Sequence, residues 1–135
     1  MGRDCPLFVP LVENGMIEPD NEITRLTAKM YLEPLMAEGI DTLIQGCTHY
    51  PLLYDLINDV IHYEAVLIDP GKETAHYVQN YLLTNGMLRE EETPGVCRYF
   101  VSDSAEQFTD TATKFLGGNL GGTVRQIELE TIQGA

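Results

Sequence analysis

A chain of 135 residues has room for one ordinary domain with its own core, or for part of a larger protein. Its apolar content of 44% argues against global disorder. The formal net charge of -13, with no basic stripe to offset it, argues against nucleic acid and anionic membrane as partners. No apolar run approaches bilayer-spanning length, and the opening Met1-Gly2-Arg3-Asp4 is not a signal peptide, so cytoplasmic residence is expected. The three cysteines, Cys5, Cys47 and Cys97, form no CxxC pair. An odd count of this kind predicts free thiols rather than a disulfide framework.

The chain opens with the short apolar residues Leu7-Phe8-Val9 and Leu11-Val12. Pro6 and Pro10 cannot donate to a ladder, so this stretch reads as an irregular connection or an edge piece. Glu13 then reads as a solvated residue before the Asn14-Gly15 turn. Residues 22–38 follow a helical period through Ile23, Leu26, Met30 and Leu35, with Asp20 or Asn21 as cap and Gly39 as stop. Pro34 is expected to kink or split that helix near its end.

Residues 40–45 form the first strand candidate, and Pro51 suits the first turn of a helix carrying Leu52, Leu53, Leu56, Ile57 and Val60. A second strand, 65–68, ends at Asp69-Pro70-Gly71 and leads into a helix over 72–83. Residues 89–95 read as a solvated loop, and 98–101 as a third strand. Asp103 with Glu106 reads as a capping box for a helix carrying Ala105, Phe108, Ala112 and Phe115, closed by Gly117-Gly118. The glycine-rich residues 117–122 lack the lysine and hydroxyl ending of a phosphate loop, and read as a mobile connector to a last strand over 123–129. Alternating helices and strands predict an α/β protein, with a mainly parallel sheet flanked by helices. Four strands make a thin sheet, so parts of it are expected to be missing.

The chemistry gathers at Gly46-Cys47-Thr48-His49-Tyr50-Pro51, where a buried strand hands over to a helix. A cysteine at such a junction has helix amides and a favourable dipole near its thiolate, and His49 can relay a proton or supply positive charge. The thiolate can then act as nucleophile or general base, or Cys47 can be a packed small residue; both readings stand on the residues alone. Thr48 offers a hydroxyl and a backbone N–H suited to a carboxylate. A metal site is the weaker reading, since Cys5, Cys97, His62 and His76 show no supporting spacing.

The stretches Cys5-Pro6-Leu7-Phe8-Val9-Pro10-Leu11-Val12-Glu13 and Asp41-Thr42-Leu43-Ile44-Gln45-Gly46-Cys47-Thr48-His49-Tyr50-Pro51-Leu52-Leu53 resemble glutamate racemase, of the aspartate/glutamate racemase superfamily. Ile68-Asp69, Glu73-Thr74-Ala75, Tyr99-Phe100 and Phe115-Leu116-Gly117 extend the resemblance toward the end of the chain. It implies racemisation of glutamate by two opposed cysteines without a cofactor, supplying D-glutamate for peptidoglycan. By this resemblance Cys47 matches the second catalytic cysteine, His49 the histidine that tunes it, and Glu13 a glutamate on the same side. Thr48, with Gly46 beside it, matches the substrate-contacting part of the motif.

Members of that family are longer, opening with an Asp-Ser-Gly segment and an asparagine-threonine-cysteine motif that holds the first cysteine. Neither occurs in this chain, so the resemblance is to a C-terminal half. On the family's two-lobed plan, residues 1–66 finish the second lobe and 67–135 return to the first. The implied partners are glutamate, and either the absent N-terminal half or another copy of the chain. One cysteine cannot serve both faces of an α-carbon, so the chain alone is expected to be inactive. The alternatives are a non-catalytic small-ligand or protein-binding module and an aspartate-type racemase.

Overall fold

Prolines at positions 6 and 10 do not keep the start of the chain irregular. In the computed structural model, which describes residues 1–91 and 93–128, a short helix α1 forms at Phe8–Glu13. Pro10 is its third residue, where the backbone N–H would have no partner within the helix, so proline costs no hydrogen bond there. The Asn14-Gly15 turn follows, with Gly15 at φ 74° and its N–H on the Val12 carbonyl at 2.9 Å.

Helix α2, Glu22–Ala37, starts at Asn21, whose side chain accepts the Thr24 N–H at 3.0 Å. It runs through Pro34 without splitting, and Gly39 closes it at φ 73°. Its inward face differs from the apolar stripe predicted above. Leu35 is buried as expected, but Ile23, Leu26 and Met30 are exposed, and Thr24, Ala28, Tyr31 and Leu32 point inward. Two hydroxyls explain the change. Thr24 donates to the Met16 carbonyl at 2.7 Å, while the Tyr31 oxygen accepts the Leu7 N–H at 3.4 Å, so both polar tips are satisfied below the surface.

Strand β1, Thr42–Ile44, pairs in parallel with β2, Val66–Ile68, in the register Thr42 to Val66. Between them the chain makes a 3-10 turn, Tyr50–Leu53, with Pro51 near its start, and then α3, Tyr54–Val60. Leu53, Leu56, Ile57 and Ile61 pack with Phe8 and Val12 in the core. Helix α4, Pro70–Thr84, begins two residues earlier than predicted because Asp69 caps it, accepting the N–H groups of Gly71 and Lys72.

Strand β3, Cys97–Val101, and strand β4, Gly122–Gln126, form a second parallel pair, connected by helix α5, Ala105–Leu116. The α5 cap is Ser104, which accepts the Gln107 N–H at 3.2 Å. Asp103 instead accepts the Ser104 N–H, so the predicted capping box is displaced by one residue. Gly122 lies so close to the Cys97 carbonyl that any Cβ would collide with it. Residue 129, the end of the predicted last strand, lies outside the described residues.

The α/β reading therefore holds; among the described residues the strands pair in parallel, in two two-stranded sheets rather than one. The chain divides into two compact units, Met1–Arg89 and Glu90–Ala135. Among the described residues, no helix is long and apolar enough to cross a membrane.

Candidate active site

The end of β1 is closed by a chain of backbone bonds. The Gln45 N–H reaches Ile68 at 2.9 Å, continuing the ladder, and the Cys47 N–H turns back to the Gln45 carbonyl at 2.9 Å. The Tyr50 N–H then donates to the Cys47 carbonyl at 3.2 Å, so residues 45–50 form a tight loop. Gly46 is exposed within it, and a Cβ there would meet nothing within 4 Å; packing leaves its surface open.

Four side chains named from the sequence come together on this loop and α1. Cys47 Sγ lies 3.8 Å from His49 Nδ1, and His49 Nε2 lies 3.3 Å from Glu13 Oε1. Thr48 Oγ1 sits 3.5 Å from the same Nδ1. Glu13 thus ends a helix and faces a histidine 36 residues on, rather than standing as an isolated turn residue. Its side chain is 54% exposed and that of His49 22%, so the pair contributes little to stability, at most about 1 kcal/mol. Its effect is on orientation. A carboxylate facing Nε2 favours the tautomer with its proton on Nε2, which leaves the Nδ1 lone pair toward Cys47. Imidazole so placed can take the thiol proton, and the carboxylate then faces an imidazolium. The arrangement suits a thiol that must give and take a proton.

The other cysteines stand elsewhere. Cys5 is buried, with Sγ 3.6 Å from the Arg3 carbonyl, and burial pushes its thiol above the ordinary value. Cys97 is exposed in the second unit, beside Tyr99, whose phenol is raised chiefly by its hydrogen bond with Cys97. No group of three or more potential metal ligands is arranged for an ion among the described residues.

Two residues of the motif matter structurally in ways its spacing did not reveal. Gln45 is buried; its Nε2 donates to the Tyr50 carbonyl at 3.1 Å, and its Oε1 is buried without a hydrogen-bond partner. Tyr50 donates its hydroxyl to the Cys5 carbonyl at 3.2 Å. The strand before Gln45 is not buried as expected, since Thr42 and Ile44 are exposed, but a glutamine closing a strand was the available signal, because a buried amide demands partners.

A cavity of about 360 Å³ borders this region. Residues 42–45 all line it, together with Phe8, Leu32, Leu35, Tyr50 and Ile57, whereas β2 contributes none. Side chains alternate across a strand, so a space touching four consecutive residues runs along the edge of β1. That edge faces away from β2 and is unpaired among the described residues.

No protein-family model matches the chain. Among curated proteins, it is 47% identical over 128 residues to the glutamate racemase of Geobacter metallireducens, covering 95% of this chain and 46% of that protein. It is 42% identical over 128 residues to the enzyme of Neisseria meningitidis serogroup C, covering 95% and 45%. Among solved structures, glutamate racemase from Francisella tularensis in complex with D-glutamate superposes with a TM-score of 0.82 at 29% identity, covering 96% of this chain and 47% of that one. The Thermus thermophilus enzyme in complex with β-chloro-D-alanine gives 0.81 at 35% identity, covering 95% and 47%.

In fold and sequence the chain is similar to about half of an α/β racemase. Within that class it is a homologue of glutamate racemases along nearly its whole length, and it spans about half the length of the curated relatives it matches.

Proposed function

We propose that the chain supplies one wall of a glutamate racemase site, with Cys47 exchanging a proton with one face of the substrate α-carbon. The observation that carries this reading is the Glu13–His49–Cys47 arrangement, in a chain related to glutamate racemases over 95% of its length. His49 accepts and returns the thiol proton, Glu13 holds the imidazole, and Thr48 with the Gly46 backbone binds a substrate carboxylate. An amino-acid α-proton is very weakly acidic, so a thiolate held in place and donors on the carboxylate must share the stabilisation of the carbanion. No electron-sink cofactor is invoked. The product, D-glutamate, would serve peptidoglycan synthesis in the cytoplasm.

A proton must also arrive on the opposite face; Cys5 is buried, and Cys97 lies on β3, in a segment that by the family resemblance is a non-catalytic strand. The opposed thiol is therefore assigned to a further stretch of racemase chain, or to a second copy. The unpaired β1 edge and its adjoining cavity support a covering segment of this kind. On the two-lobed plan residues 1–66 finish one lobe and 67–135 return to the other. That boundary falls within β2, between Val66 and Leu67, both of which pair with β1.

Incubation with L-glutamate in deuterated water tests the reading. The chain alone should incorporate no α-deuterium. Mixed with the separately produced part of the Geobacter metallireducens enzyme that lies outside the matched region, it should yield α-deuterated glutamate with loss of optical purity, and Cys47→Ser should abolish this. Racemisation by the chain alone would overturn the one-wall assignment. Faster exchange on aspartate would favour the aspartate-type alternative. Binding of D-glutamate that survives Cys47→Ser, with no turnover in any mixture, would favour a binding module.

A further inference from the structure

Two adjacent residues, His49 and Tyr50, grip opposite ends of α1. At its far end His49 faces Glu13, the last helical residue, at 3.3 Å. At its start the Tyr50 hydroxyl donates to the Cys5 carbonyl at 3.2 Å, the same oxygen that accepts the Phe8 N–H at 3.1 Å. The Tyr50 ring also stands edge-on to Phe8, with centroids 5.3 Å apart and planes at 84°. The Tyr50 backbone is held in turn, since its carbonyl accepts from Gln45 and its N–H reaches Cys47. Helix α1 has six residues, about 9 Å at 1.5 Å per residue, and is too short to hold a direction by itself.

From this we infer that Tyr50 is a positioning residue: by fixing the start of α1 to the Cys47 loop, its hydroxyl sets how closely Glu13 meets His49. This rests on the reading of Cys47 as a proton-transfer thiol and deepens it. The bond joins the loop to the helix, so a small tilt of α1 at Cys5 is carried to Glu13 at the other end. The titratable and charged groups around the junction are Glu13 from α1, Arg3, Asp4 and Cys5 before it, Tyr31 from α2, and Cys47, His49 and Tyr50 from the loop. Burial is the main cause of the raised Tyr50 phenol, which keeps the hydroxyl protonated and able to donate through the neutral range.

The test reads Cys47 directly in the chain and needs no turnover. Iodoacetamide alkylation is followed against pH, with peptide mapping to separate Cys47 from Cys5 and Cys97. Glu13→Gln removes the carboxylate from the imidazolium and should move the profile to higher pH, slowing alkylation at neutral pH by about threefold or more. Tyr50→Phe keeps the ring on Phe8 and loses only the hydroxyl; it should shift the profile the same way. In the Glu13→Gln background the further change Tyr50→Phe should add nothing. An unshifted Tyr50→Phe profile, or shifts that add in the double variant, would overturn the inference.

Should Tyr50→Phe fail to fold, Phe8→Leu loosens the same end of α1 and carries the test. A shift that vanishes in the Glu13→Gln background supports the inference, and one that is absent or persists there sinks it. A chain without racemase activity still answers this question. Conversely, racemisation in the mixture without the coupling would remove the inference and leave the proposed function standing.

Discussion

Residues 5–67 and the elements from α4 onward are both patterned for burial, yet they end differently. In the first stretch Phe8, Val12, Leu53, Leu56, Ile57 and Ile61 are buried around β1 and β2. In the second, α4 and α5 have no buried residue, and Tyr77, Tyr81, Leu83 and Phe100 are exposed. Helix α5 nevertheless carries Ala105, Phe108, Ala112 and Phe115 at helical spacing. An amphipathic pattern is a local property of sequence, whereas burial requires a second layer to receive it. The contrast locates the surfaces on which a further layer would act.

The largest test of the contrast is a pair of core and surface truncations. Phe8→Ala empties a site packed by Tyr31 and Tyr50 and should cost about 3–5 kcal/mol in denaturant unfolding. Phe100→Ala should stay within about 0.5 kcal/mol. Equal losses would mean that the second region is packed in solution. Hydrogen exchange should divide in the same way, with α3 amides protected to near the global stability and α4 amides exchanging through local opening. Uniform protection would erase the comparison.

Alkali gives a smaller effect confined to the first region. Burial raises the Cys5 thiol from its ordinary 9.0 and the Tyr50 phenol from 10.0. The folded chain therefore holds these protons more tightly than the unfolded one. Their contribution is complete below pH 9.0 and declines as pH rises past the unfolded values and through the higher folded ones. Denaturation midpoints should fall above pH 9.0, and Cys5→Ala or Tyr50→Phe should flatten the fall. The smallest effects come from matched caps. Asn21→Ala should lower unfolding stability by about 1 kcal/mol, while Ser104→Ala, the same loss on α5, should appear as fraying of that helix with the midpoint of residues 1–89 unmoved.

Much of the architecture was legible because caps and stops are local signals. Asn21, Gly39 and Gly117 delimit their helices, and the strand-to-helix junction at Cys47 falls where the sequence places it. Three features were not legible, each for a tertiary reason. Proline in a first turn does not forbid a helix, so α1 was hidden behind Pro10. The inward face of α2 depends on hydroxyl partners at Met16 and Leu7, which no periodicity can show. The approach of Glu13 to His49 joins residues far apart in sequence. The Cys-His pair could be read from neighbouring letters, but its carboxylate came only through the resemblance and its contact only from the fold.

The burial of Cys5 has a practical consequence. Its thiol lies at 6% exposure beneath the start of α1, whereas Cys47 is half-buried and Cys97 is exposed. Cys5 should therefore label far more slowly than Cys97, and faster whenever the segment before α1 lifts away, so its labelling rate responds to that opening. One chain thus carries a built-in clock for its own integrity, separate from the sulfur that reports its chemistry. A preparation in which Cys47 responds while Cys5 stays silent is one whose α1 is seated.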